Sequence, residues 1–171
     1  MQLTRAADYA VRLLIHLAIQ PEGTIVSKAI LAKQANAPES FVAKILQVLS
    51  RGGFIQTRRG VIGGFSLLPK GRLASLLEVI EAVDGPISLN LCLVSGDACS
   101  RQSECLAHNV WVDAQEAMVA VLRNASIDSL VPATSSGPAL LNIAGAAPKS
   151  PSKIHNHAPA ARREPAYSKR T

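Results

Sequence analysis

Apolar side chains recur at Leu3, Ala7, Ala10, Leu14, Leu17 and Ala18, widened by Ala6, Leu13 and Ile15. This spacing predicts a well-buried helix over residues 3–19, stopped by Pro21 and Gly23. Ser27 is placed to cap a short helix to about Ala35, because its hydroxyl suits first-turn amides that lack partners. Asn36 and Ala37 then turn the chain. Pro38 fits the first position of a third helix, Glu39 suits its positive end, and Phe41, Ile45 and Leu49 repeat along it at i, i+4 and i+8. Gly52 and Gly53 end it.

The period then changes. Residues 54–58 and 64–68 are short β-prone runs around Arg59-Gly60-Val61-Ile62-Gly63, which predicts a hairpin with a basic, glycine-rich tip. A helix follows over about 73–83, burying Leu73, Leu76, Leu77, Ile80 and Val83, and Asp84-Gly85-Pro86 breaks it. From Cys105 to about Asn124, Leu106, Val110, Ala114, Ala117 and Val121, with Trp111, Met118 and Leu122 beside them, form a long stripe that wants a partner helix. Beyond Val131 the pattern stops. Six of the ten prolines fall in residues 132–171, which read as a mostly disordered basic tail with at most a marginal helix over 139–147. The expected architecture is mainly α with a small β-hairpin. Residues 1–72 form a winged helix-turn-helix, 73–131 a linker helix, cysteine loop and dimerisation helix, and 132–171 the tail.

Length and composition narrow the field. A chain of 171 residues with 48% hydrophobic content can bury a core, which excludes collagen-like and fully disordered classes. The apolar run Ala10 to Ile19 is interrupted by Arg12 and His16 and is too short to span a bilayer. Gln20, Pro21 and Glu22 follow it where a signal peptide would have small residues, so a cytoplasmic protein without a membrane partner is expected. The formal charge of +6 is unevenly divided. Residues 1–72 hold ten Lys/Arg against three Asp/Glu, residues 73–131 two against eight, and residues 132–171 six against one. A basic block ahead of an acidic one points to a polyanion for the first segment and different work for the second.

An α-helix fills the major groove of DNA, and a basic hairpin can reach phosphates or the minor groove alongside it. Ser40, Ala43, Lys44 and Gln47 lie off the Phe41/Ile45/Leu49 stripe and are free to face bases and backbone. Arg58 and Arg59 sit where a wing touches DNA, with Gly60 beside them at its tip. Arg5, Arg12 and Lys28 are lesser candidates for phosphate contacts, and the tail's cations would add salt-dependent attraction.

Three cysteines, Cys92, Cys99 and Cys105, cannot all pair as disulfides, and His108 follows Cys105 by three residues. If both lay on one helix they would share a face, and the stretch 95–98 would let the other thiolates fold back. Soft thiolates suit an iron–sulfur cluster or zinc, although no tight C-x-x-C pair of the usual zinc kind is present. Redox thiols without metal are a third possibility. An enzyme using Cys105 and His108 as nucleophile and base lacks any accompanying oxyanion-hole motif or substrate-pocket signature, so no enzyme and no small-molecule substrate are expected.

The opening Met1-Gln2-Leu3-Thr4-Arg5-Ala6-Ala7-Asp8-Tyr9-Ala10, the wing Arg58-Arg59-Gly60-Val61-Ile62-Gly63-Gly64-Phe65 and the three cysteines together resemble the IscR/NsrR-type winged-helix regulators of bacteria. The resemblance runs from residue 1 to about 131. It implies a homodimer joined through the long helix, a palindromic operator in double-stranded DNA, and a cluster that controls DNA affinity. It places Ser40 near the base-reading part of the recognition helix and Arg59 with Gly60 at the minor groove. His108 matches the histidine of three-Cys, one-His sites that usually hold a 2Fe-2S cluster. Asp8 matches the aspartate that completes a 4Fe-4S site from the partner subunit. The first cysteine gap has six residues where IscR-type proteins have five, so the sequence leaves cluster type and fourth ligand open.

Overall fold

The computed structural model describes residues 3–60, 62–94 and 99–132. The expected tail beyond Pro132 and the linking stretch 95–98 lie outside them. Every described residue belongs to one compact unit, which lies within Met1–Leu140.

Thr4 begins the fold. Its hydroxyl accepts from the Ala7 amide (3.2 Å) at the head of helix α1 (Arg5–Ile19) and donates to Asp84 Oδ1 (2.6 Å). One cap therefore also ties α1 to the end of a distant helix. Ser27 caps α2 (Lys28–Ala35), accepting from the Ile30 amide. Asn36 closes α2 in the left-handed region at φ +50°, a conformation asparagine tolerates better than most residues. Helix α3 (Glu39–Arg51) starts one residue after Pro38. It buries Val42, Ile45, Leu46 and Leu49. Phe41 sits at the rim of this face, edge-on to Tyr9 with ring centroids 5.7 Å apart.

Strands β1 (Ile55–Arg58) and β2 (Gly64–Leu67) pair antiparallel from Ile55 opposite Leu67 to Arg58 opposite Gly64. Two 2.9 Å backbone bonds between Val26 and Phe65 fix the hairpin to the segment leading into α2. A Cβ on Gly64 would lie 2.5 Å from the Val26 carbonyl oxygen, so only glycine permits that approach.

The single helix expected over 73–83 is two helices, α4 (Pro69–Leu73) and α5 (Leu76–Asp84). Ala74 is extended between them, and Leu73 is 72% exposed rather than buried. The cause is local. Ser75 accepts from the Glu78 amide while Glu78 accepts from the Ser75 amide, a reciprocal cap that starts a new helix. The break also frees backbone for a distant partner: Ala74 accepts from Ile127 (2.9 Å), and Leu76 donates to Ala125 (2.8 Å).

Replacing Ser75 by alanine is expected to cost about 1 kcal/mol, read as a lower melting temperature. The hydrogen bonds from Ser75 hold the Glu78 carboxyl below its ordinary value of 4.5. That contribution is present above 4.5 and is lost as pH falls through the depressed value, so the gap between the two melting temperatures should narrow in acid by the share of the Ser75 hydroxyl's bond to the Glu78 carboxylate.

The main core gathers Leu13, Leu14, Leu31, Leu46, Leu49, Ile55, Val79 and Ile127. Burial lowers the pKa of half-buried His16 from 6.5, so this residue favours unfolding as pH drops below that value. A second cluster joins Ala7, Leu77, Ile80 and Ile87 to Met118, Val119 and Leu122 of α6 (His108–Asn124). The long helix is thus three residues shorter than expected, because Cys105, Leu106 and Ala107 precede it.

Candidate DNA interface and cysteine site

On α3, Ser40, Lys44, Gln47 and Arg51 are exposed and fall at i, i+4, i+7 and i+11, so they line one edge opposite the buried stripe. Arg51 belongs to this edge although only the first three residues were expected there. Its signal was the same spacing carried one turn further. Ser50 and Thr57 hydroxyls lie 3.3 Å apart and join α3 to the wing. Lys70 is spent elsewhere: it donates to the Gly52 carbonyl at the end of α3 (2.7 Å) and lies over the Phe54 ring.

The basic charge of the first segment therefore sorts into two kinds. Arg12 pairs with Asp8 (3.0 Å), Lys28 with Glu39 (3.2 Å), and Arg72 with Asp128 and the Ala18 carbonyl. Among the described residues, Arg5, Lys33, Lys44, Arg51, Arg58 and Arg59 have no acidic partner and remain available to phosphates, the last four on the α3 edge and the wing. At the wing, Arg58, Arg59 and Gly60 are exposed, and Gly60 takes φ +117°. Gly63 donates to the Gly60 carbonyl across the tip. A Cβ there would meet Arg58 O at 2.6 Å and Gly60 O at 2.7 Å. Gly63→Ala is expected to introduce backbone strain of about 1–3 kcal/mol at the tip. It should weaken duplex binding in fluorescence anisotropy while leaving the helical circular dichroism unchanged.

The three cysteines are free thiols, Cys92 and Cys99 half-buried and Cys105 exposed. Cys92 lies in a 3-10 turn (Leu91–Leu93) against α6, and Gln115 of α6 accepts from the Leu89 amide just before it. A second turn (Gln102–Glu104) ends at Cys105, whose backbone is extended. The shared helical face expected for Cys105 and His108 does not form, because the chain closes in three-residue steps here and α6 opens only at His108. Asp8, exposed on α1, is engaged by Arg12.

Among the described residues, no three His, Cys, Asp or Glu side chains stand together as a metal site. The donor set nevertheless fits an iron–sulfur centre in kind. It offers three unpaired thiols and an imidazole, His108, whose Nδ1 is buried without a hydrogen-bond partner. On α6 the expected stripe divides: Met118, Val119 and Leu122 pack inward, whereas Val110, Ala114, Ala117 and Val121 face out with Trp111.

A helix-turn-helix braced by a basic hairpin, with an exposed polar edge on its third helix, defines a winged-helix DNA-binding protein. A family model described as Rrf2, iron-dependent transcriptional regulator, matches residues 3–133. The chain belongs to the Rrf2 family and is a DNA-binding transcriptional regulator, not an enzyme. It is 28% identical over 131 residues to the HTH-type transcriptional regulator IscR of Klebsiella pneumoniae, covering 77% of this chain and 80% of that protein. The fold is shared with the oxidized form of Staphylococcus aureus CymR (TM-score 0.61, 23% identity, 76% of this chain and 95% of that one). It is shared also with T. potens IscR (TM-score 0.59, 18% identity, 75% and 85%). No helix among the described residues is long and apolar enough to cross a membrane.

Proposed function

We propose that this regulator works as a homodimer on a palindromic operator and that an iron–sulfur cluster held by Cys92, Cys99 and Cys105 sets its DNA affinity. The fourth ligand in this reading is His108 or the partner subunit's Asp8. Residues 1–72 read DNA, residues 73–131 sense and pair, and residues 132–171 add a basic extension. The carrying observation is the donor set that the chain offers between α5 and α6: three free thiols, the last of them three residues before a histidine whose Nδ1 is buried without a partner. When bound, a cluster supplies a centre that responds to oxidants, nitric oxide or iron supply. Cys92 lies in a turn against α6 and Cys105 three residues before it, so drawing the thiols together restrains both ends of the loop on that helix. The outward stripe of α6 is the dimer seam, and its position governs how far apart two α3 helices stand.

The test is anaerobic purification followed by absorption spectra, iron and sulfide analysis, and binding to duplex DNA selected from a random pool. Brown protein whose affinity changes about 5- to 150-fold on cluster removal is expected. A Cys92→Ala variant should be colourless and lack that change. Colourless wild-type protein after anaerobic reconstitution overturns the proposal. A second reading, thiol sensing without a cluster, is favoured by the three unpaired thiols and by the likeness in fold to CymR in an oxidized form. It predicts colourless protein whose DNA binding changes with peroxide and recovers with dithiothreitol.

A further inference from the structure

The wing ends in a closed turn, with the Gly63 amide donating to the Gly60 carbonyl (2.9 Å) and Ile62 at its apex. The glycines at its two ends are poor places for side chains: Gly60 holds φ +117°, and a Cβ on Gly63 would meet two backbone oxygens at 2.6 and 2.7 Å. The two residues between them in sequence are valine and isoleucine, β-branched and apolar where turns ordinarily carry Gly, Pro, Asn, Asp or Ser. Ile62 is 87% exposed, more than any other large hydrophobic among the described residues before Leu73. Single exposed apolar residues are common on protein surfaces, but this one stands at the point of a hairpin whose Arg58 and Arg59 have no acidic partner. The Ser50 and Thr57 hydroxyls join that hairpin to the last turn of α3, beside Arg51.

The minor groove distinguishes base pairs by one feature. A·T and T·A show only acceptors there, whereas G·C adds the guanine 2-amino donor. An isoleucine pressed into the groove covers that donor without offering it an acceptor, and a buried donor left unpaired is costly. The amino group also fills space that the side chain would occupy. Apolar side chains are accordingly a recurrent means by which proteins enter the minor groove.

We propose that Ile62 is a specificity-determining residue: Arg58 and Arg59 hold the wing to the phosphates, and Ile62 at its apex selects A·T base pairs in the minor groove by rejecting the guanine amino group. This rests on the wing's lying on DNA and on neither the cluster nor the dimer. On the duplex selected from a random pool, base pairs are exchanged singly for A·T, G·C or inosine·C, the last keeping the major-groove face of G·C without the amino group. Wild type should show one or two adjacent positions in a half-site where A·T and inosine·C bind alike and G·C about tenfold more weakly. Placing 2,6-diaminopurine·T there, which adds the amino group to an A·T pair, should reproduce the loss. Ile62→Ser should bind all four duplexes alike at those positions, and Ile62→Leu should keep the preference. Circular dichroism should be unchanged in both, because the side chain is exposed. The absence of such a position in wild type, inosine·C as weak as G·C, or a preference that survives in Ile62→Ser overturns the role of Ile62. If the variant lacking both Arg58 and Arg59 side chains still loses affinity, the wing remains on DNA without it. If that variant binds as wild type does, the wing is off DNA and this inference falls with it.

Discussion

Replacing both Val110 and Val121 by aspartate is expected to turn the proposed dimer into a folded monomer and to weaken binding to a two-half-site duplex by about 10²- to 10⁴-fold. The two valines are 61% and 69% exposed, so charge at these positions disturbs little inside the protomer. With Ala114 and Ala117 they form a row at i, i+4, i+7 and i+11 on the outer side of α6. Such a row, with Trp111 at its edge, is apolar surface that an α6 from a second copy would cover. The affinity loss is large because linkage makes the second half-site encounter intramolecular; separated protomers lose that advantage without losing any contact to DNA. Analytical ultracentrifugation and anisotropy on one-half-site and two-half-site duplexes are the measurements. Equal weakening on both duplexes, or an unchanged mass, would show that α6 is not the seam.

The first three helices and the hairpin were legible in the sequence because each signal there is local. Ser27, Asn36 and the glycines of the wing act on their nearest neighbours, and they are found where the pattern placed them. The break at Ala74 was harder. Leu73, Leu76, Leu77 and Ile80 keep helical spacing straight through it, and the Ser75/Glu78 cap competes with that run only because Ile127 and Ala125 satisfy the backbone it frees. Around Cys105 the helical period was carried too far upstream, since three-residue turns and a true helix use the same residue types over so short a span. The two faces of α6 could not be separated from sequence at all. Met118 and Val121 are both apolar, yet one packs against the cluster of Leu77 and Ile80 while the other is 69% exposed. Charge was legible only in total. The excess of lysine and arginine before residue 73 includes Arg12, Lys28, Lys70 and Arg72, which the fold engages internally.

That sorting of charges makes the wing the place where the largest electrostatic effect is expected. Arg58→Ala combined with Arg59→Ala should weaken binding to the selected duplex by about a hundredfold or more, nearly alike for its scrambled counterpart if the contacts are to phosphate. Each arginine that displaces counterions contributes about 0.9 to the slope of log affinity against log salt, so a dimer losing four should show a slope smaller by about 3 to 4. Arg12→Ala, which removes a cation already held by Asp8, should leave the slope unchanged. Gln47→Ala acts differently: at an exposed position on α3 it should cost about 1–3 kcal/mol on the selected duplex and little on the scrambled one. Phosphate contacts hold the protein in register while base-edge contacts discriminate, so the two variants should separate the wing from the recognition helix in a single titration series. A wing variant with an unaltered salt slope would mean that Arg58 and Arg59 point to solvent in the complex, and the DNA-facing surface would have to be sought around the other unpaired cations, Lys44 and Arg51 on α3 first.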